Sequence, residues 1–290
     1  MSSRSRTVAA DMCAIRDMGA AVVRWFLFCD GRAGVRMDSA GRVEGPGRMV
    51  EEDLDAALRA ARGAGVRLIL VMLDFLWVAR NGPGAFIRGE IPERLVDPLL
   101  REFGRSPEIL AWEAMNEPDW AVSGLSPDPV KVPAAVPQEA FLRFVLETGR
   151  LVHLHTDALY TVGSCRARHL SLWDREDLGL DLLQVHPWAD FLGGAEADRI
   201  RGRDAGSLGV RKPVLAGEYP LGLPESEGYE RILREGGYAG ALYWSHHTVD
   251  RFGVGRGELQ RAALASSRGP GSSGSAIGNG GEAPGEGSPL

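Results

Sequence analysis

The sequence predicts an α/β protein, a (β/α)8 TIM barrel lacking strand one and followed by a disordered C-terminal tail. Three observations predict it. Apolar runs of strand length recur along the chain, amphipathic segments of helical character separate them, and each run-plus-segment unit takes about 30–45 residues, the pace of a barrel that typically needs about 250. Strands apolar on both faces and separated by helices indicate a parallel sheet covered by helices.

The chain opens on an amphipathic segment at 8–18 rather than on a strand. The first apolar run is Ala21–Phe28 (AVVRWFLF), followed by VRLILVML over Val66–Leu73 and ILAWEAM over Ile109–Met115. LYTVG at Leu159–Gly163, LDLLQV at Leu180–Val185, PVLA at Pro213–Ala216 and AGALYW at Ala239–Trp244 complete the set. Helical segments are expected at 51–63, 91–103, 138–154, 168–178, 194–203, 226–236 and 256–267. Placed at barrel positions two to eight, these runs leave position one empty. Either the gene start is placed too late, or residues 1–7 supply a degenerate substitute. An open barrel leaves an unpaired edge. A doubly wound sheet is the competing architecture, but Gly31-Arg32-Ala33-Gly34 after the first run fits neither a dinucleotide nor a P-loop pattern.

Residues 1–268 are read as the barrel and 269–290 as the tail, which is Gly, Ser, Pro and Glu with almost nothing apolar to offset ordering. The 290 residues carry 33 basic and 39 acidic side chains, a net charge of −6. No basic block interrupts that balance, which argues against nucleic acid or an anionic membrane as partner. No apolar stretch reaches the roughly 18–20 residues of a membrane span. Cys13, Cys29 and Cys165 are odd in number and widely spaced, so they form neither a disulfide framework nor a zinc pattern. No apolar run follows the basic start, so the sequence as given reads as cytoplasmic. A truncated N-terminus would make it a secreted protein. A monomer is expected.

In such a barrel the reacting groups sit at the C-terminal ends of the strands. Two carboxylates stand there at the end of strongly apolar runs, Glu117 and Glu218, where burial is costly unless the group is paired or used. They are 218 − 117 = 101 residues apart, three units of about 34, so they face each other across the barrel mouth. Glycosidic cleavage needs such a pair: one carboxyl gives its proton to the leaving oxygen, and the other attacks the anomeric carbon or directs water onto it. A separation of about 5–5.5 Å implies attack and retention, and about 6.5–9.5 Å leaves room for water and inversion.

WEAMNEP (Trp112–Pro118) together with LAGEYP (Leu215–Pro220) resembles the strand-four and strand-seven signatures of glycoside hydrolase clan A, and most closely glycoside hydrolase family 5, the cellulase and mannanase family. The resemblance spans roughly residues 10–265. It implies a retaining barrel without a cofactor or metal, acting on a β-linked oligosaccharide or polysaccharide. Glu117 matches the acid/base and Glu218 the nucleophile. Asn116 matches the Asn that holds the sugar 2-hydroxyl, Arg24 the strand-two Arg that supports the nucleophile, His186 the strand-six His, and Trp244 the strand-eight floor of the sugar site. The pattern departs from the family in three places. Asp74 is followed by Phe75-Leu76-Trp77 rather than His; Trp188 stands where Tyr usually bonds the nucleophile, so Tyr219 is a candidate for part of that role; and strand one is absent.

Asp74, Trp77, Trp120, Trp188, Tyr219 and His246 complete the expected substrate contacts, the Trp rings because they stack on pyranose faces. Glu113 shares strand parity with Glu117 and should also point inward as a partner for Arg24. Adjacent His246 and His247 point to opposite faces, a poor metal chelate. The loops Arg32–Gly47 and Ser123–Pro137 should overhang the mouth. Two other classes fit the sequence: a non-catalytic carbohydrate-binding barrel, told apart by turnover of aryl β-glycosides, and a barrel enzyme acting on a sugar phosphate. The second would want a glycine-rich anion site, for which Gly222 and Gly253-Val254-Gly255 are the candidates.

Overall fold

The computed structural model describes residues 3–126, 132, 134–188, 200, 202–220 and 229–246. The expected helices at 194–203 (nearly all of it) and 256–267, the tail, His247, Gly222 and the Gly253–Gly255 turn lie outside them. Part of the Ser123–Pro137 loop does as well.

A helix α1 (Ser3–Asp17) precedes β1 (Val22–Phe26). A short antiparallel hairpin follows, β2 (Val35–Met37) and β3 (Val43–Pro46), within the loop expected to overhang the mouth. Then come α2 (Arg48–Ala64), β4 (Arg67–Asp74), α3 (Leu76–Asn81), α4 (Gly84–Arg88), α5 (Asp97–Phe103) and β5 (Ile109–Asn116). The second half runs α6 (Gln138–His155), β6 (Leu159–Ser164), α7 (Leu170–Trp173), β7 (Leu183–Val185), β8 (Val214–Pro220), α8 (Tyr229–Glu235) and β9 (Gly240–Trp244). Seven strands form one parallel sheet in the order β1-β4-β5-β6-β7-β8-β9. The sheet curls until Phe26 at the end of β1 meets Trp244 at the end of β9 edge to face, ring centroids 6.3 Å apart. This is the (β/α)8 barrel nearly closed on seven strands, as the sequence predicts.

The long helices cover the sheet. In α2 the buried Val50, Leu54, Ala57, Leu58, Ala61 and Ala64 form one stripe at helical spacing. Gly65 ends the helix in the left-handed conformation (φ 74°), its N–H capping the Ala61 and Arg62 carbonyls. Outward residues of the sheet (Leu68, Leu70, Met72, Trp112, Tyr160, Val162) join the helix stripes in one large core. Inside the barrel a smaller cluster of Ile69, Ala111, Leu182 and Leu215 lies apart from it. No helix among the described residues is long and apolar enough to cross a membrane.

Three segments differ from expectation. The helix expected at 168–178 is α-helical only over Leu170–Trp173, between 3-10 turns at Ala167–His169 and Glu176–Leu178. The single helix expected at 91–103 begins as a π-helical turn, Pro92–Val96, before α5. The Asp97 N–H bonds the Pro92 carbonyl, and Pro98 has no N–H to continue the regular ladder. The run at 180–185 is strand only over Leu183–Val185, because Asp181 is spent on the neighbouring strand: its N–H bonds the Tyr160 carbonyl and its carboxylate accepts the Tyr160 N–H.

Candidate active site

Parallel strands alternate inward and outward residues, and that alternation alone would not bring both glutamates into the mouth. The sheet register slips between Glu113 and Asn116 on β5 and between Ala216 and Tyr219 on β8. Such irregularities re-aim side chains next to functional sites. Before the first slip Glu113 points into the barrel; after it Asn116 points into the mouth, and Glu117 follows with a left-handed backbone at φ 45°. After the second, Glu218 faces the mouth and Tyr219 the helix layer, where its ring packs on Tyr229 and Tyr243.

Arg24, on β1, organises the floor. Its Nε and Nη2 make a two-pronged pair with Glu113 (2.7 and 2.5 Å), its Nη1 donates to Glu218 Oε1 (2.5 Å), and its Nη2 also donates to Asn116 Oδ1 (2.7 Å). The guanidinium is 6% exposed and Glu113 wholly buried. Both readings of Arg24, support for Glu218 and partner for Glu113, hold together. Burial alone would lower the Arg24 pKa, but the two carboxylates more than offset it and raise it. Asn116 is fixed from both sides, since its Nδ2 donates to Asp74 Oδ2 at 2.7 Å.

Glu117, Glu218 and His186 converge. One oxygen of each carboxyl and one His186 nitrogen lie within 4.8 Å of one another. His186 Nδ1 hydrogen-bonds Glu117 Oε1 at 3.0 Å and stands 3.9 Å from Glu218 Oε1. Trp120 Nε1 donates to Glu117 Oε2 (2.9 Å), and Trp188 Nε1 to Glu218 Oε2 (3.2 Å). Burial raises the Glu218 pKa; His186 and Arg24 oppose it, Glu117 adds to it, and the Trp188 bond opposes it. The His186 pKa is also raised: burial would lower it, but the Glu218 charge and the Glu117 bond outweigh burial. The three converging groups could hold a cation, but their donor atoms already share bonds with Arg24, Trp120, Trp188 and each other.

No protein-family model matches the chain, and no curated protein does. Solved structures do match. An endo-1,4-β-mannanase from Eisenia fetida superposes with a TM-score of 0.74 at 18% identity, over 89% of this chain and 82% of its own. A β-1,4-D-mannanase from Cryptopygus antarcticus gives 0.76 at 18%, over 91% and 83%, and a β-mannanase from the blue mussel Mytilus edulis 0.73 at 18%, over 89% and 83%. The fold is that of these β-mannanase barrels. At such identities the likeness establishes the barrel and leaves the chemistry to the residues within it.

Within this barrel most of the expected residues meet at the mouth: Arg24, Asp74, Asn116, Glu117, Trp120, His186, Trp188 and Glu218, with Trp244 at its rim beside Phe26. Three do not. Trp77 lies on α3, wholly buried in the core, with its ring 2.9 Å from where a Cβ on Gly31 would stand, so no sugar reaches it. Tyr219 is equally buried on the helix side of β8, its ring against Tyr229 and Tyr243, and it is Trp188 whose Nε1 donates to Glu218. His246 turns to Asp11 of α1, 3.6 Å away.

Two further groups at the site emerge only in the structure. Phe75 packs its ring on Trp120, centroids 6.1 Å apart, beside Glu117; its place one residue after Asp74 was the available signal. Gly163 has no Cβ because one would stand 2.6 Å from Glu113 Oε1 and 3.0 Å from both Gln184 Nε2 and His186 Nε2. Nothing in the sequence marks that closeness.

Asp74 carries a testable consequence. Its carboxyl is pushed up to about 6, by burial first, with the Glu117 and Glu218 charges adding and the bonds from Leu76 N–H and Asn116 opposing. The folded protein thus holds this proton more tightly than an unfolded chain, whose Asp has the ordinary value of 3.8. Between those values the native state binds more protons, so the contribution of Asp74 to stability falls as pH rises and is least above about pH 6. Asp74→Asn removes the titration. Its unfolding free energy relative to wild type should move in favour of the variant by up to about 3 kcal/mol between pH 4 and pH 7. A pH-independent difference in denaturant melts contradicts this.

Proposed function

We propose that the protein is a retaining β-glycosidase that cleaves β-linked glycans or oligosaccharides by double displacement. The observation that carries the reading is the approach of Glu117 and Glu218 to within 4.8 Å across the mouth, the short spacing that suits direct attack rather than an interposed water. Glu218 Oε attacks the anomeric carbon while Glu117 gives its proton to the departing glycosidic oxygen, and the C–O bond breaks as the glycosyl ester forms. Glu117, now a carboxylate, takes a proton from water; the water oxygen attacks the anomeric carbon and releases Glu218. Arg24, Trp188 and His186 favour the ionised Glu218 against the burial that opposes it. Asn116, with its Oδ1 turned to Arg24 and its Nδ2 to Asp74, is set to donate to the sugar 2-hydroxyl. Trp120, Phe75, Trp188 and Trp244 supply apolar faces for pyranose rings.

The printed activities of the solved barrels make β-1,4-mannan the first substrate to try, with β-1,4-glucan as the comparison. The test is reducing-sugar release from both polymers, with proton NMR of the first product formed. The expected result is cleavage that yields the β-anomer before mutarotation. Initial release of the α-anomer contradicts the mechanism, and no release from any β-glycan or aryl β-glycoside contradicts the activity.

A further inference from the structure

We infer that Asp119 is a positioning residue for the proton-donating half of the site, holding the turn from which Trp120 hydrogen-bonds Glu117. This rests on the glycosidase reading above. Asp119 lies two residues beyond Glu117 in the tight turn Pro118–Trp120 and is wholly buried. Its Oδ1 accepts from Ser164 Oγ at 2.8 Å and pairs with His169 Nδ1; its Oδ2 accepts the Cys165 backbone N–H at 3.0 Å. All three partners belong to the end of β6 and the turn that follows, so one carboxylate fastens the turn after β5 to the turn after β6. With Asp119 ionised, His169 Nδ1 is the donor.

The turn needs fastening. Glu117 sits in a left-handed conformation that a residue with a side chain adopts at a cost of about 1–3 kcal/mol and keeps only when its surroundings impose it. Its N–H is held by the Gly163 carbonyl (2.8 Å), again on β6. Beyond it, the Trp120 N–H bonds the Glu117 carbonyl (3.2 Å) and the indole Nε1 bonds the carboxyl Oε2 (2.9 Å). Loosening Asp119 lets Glu117 relax and carries Trp120 away from the carboxyl that must deliver a proton. Glu218 sits on β8, across the mouth from this linkage, so attack is spared.

That asymmetry gives the test. Asp119→Asn keeps the shape but replaces one of the two acceptor oxygens with an NH2 group, so either the Cys165 N–H or the Ser164 and His169 donors lose their acceptor. The variant is assayed on a mannohexaose or cellohexaose, whichever the wild type cleaves, and on the 2,4-dinitrophenyl β-glycoside of the same sugar, whose phenolate departs without a proton. The expected result is a loss in kcat/KM, which reports the glycosylation step, of roughly 10–100-fold on the oligosaccharide, a fraction of the 10²–10⁴ that general acid catalysis supplies, with less than about 3-fold loss in kcat/KM on the activated glycoside. His169→Leu, at a more accessible position, should show the same selectivity more weakly, and His169→Asn, which restores a donor near the Nδ1 position, should recover the loss. It keeps the inference open to refutation if Asp119→Asn does not fold. Equal losses on both substrates, or no loss on either, overturn the positioning role. A wild type that cleaves neither substrate overturns the glycosidase reading itself, and this inference with it.

Discussion

On the proposed mechanism, replacing Glu218 with Ala removes the nucleophile and is expected to leave a folded, inactive protein. The expected fall in kcat is at least about 10⁴-fold on every glycoside, activated or not, because bond formation to the anomeric carbon is lost rather than proton transfer. Stability should rise or hold, since Glu218 is a buried acid whose ionisation burial opposes. Added azide should rescue turnover of the dinitrophenyl glycoside by occupying the cleared space and yield an α-glycosyl azide. Glu117→Ala behaves differently on the same account. It spares glycosylation by the activated substrate, and azide there gives the β-azide. A Glu218→Ala protein within about 10-fold of wild type places the nucleophile elsewhere.

The second large effect is expected at Arg24. Arg24→Met leaves Glu113 and Glu218 facing each other in the barrel without the guanidinium that bridges them at 2.5 Å on either side. Removing one partner of a buried ionic network costs about 3–5 kcal/mol, because the remaining charge has no partner. For a domain of this size that is a fall in Tm of roughly 6–20 °C. Activity falls as well, because Glu218 and Asn116 each lose a bond from the same side chain. The double variant Arg24→Met/Glu113→Leu separates the two effects. It removes the more deeply buried of the two stranded carboxylates, so part of the stability returns, but activity stays low because Glu218 still lacks its cation. Thermal melts paired with kcat check this. Full recovery of activity in the double variant contradicts the role of Arg24 at Glu218.

The barrel was legible because burial on both faces writes itself into a strand as an unbroken apolar run, and seven such runs at even spacing leave few architectures. The site was legible where a polar residue interrupts such a run. Arg24, Glu113, Glu117 and Glu218 each break one, and all four meet. What the sequence could not show is which way the next residue faces. Trp77 and Tyr219 sit at strand ends beside mouth residues, and position alone assigned them to the sugar site. The helical turn of α3 buries Trp77, and the register slip on β8 turns Tyr219 outward just as it turns Glu218 inward. The His169, Ser164 and Asp119 cluster was hidden for a related reason. Its members lie 45 and 50 residues apart, and only the parallel pairing of β5 with β6 brings them together.

Central to the account is a covalent bond between Glu218 and the sugar. The direct measurement is mass spectrometry of the protein after incubation with the 2,4-dinitrophenyl 2-deoxy-2-fluoro β-glycoside of the sugar it cleaves, followed by peptide mapping. One fluoroglycosyl adduct is expected, carried by the peptide containing Glu218 and absent from Glu218→Ala. An adduct on another carboxylate, or steady turnover of the parent substrate with no adduct at all, would contradict it.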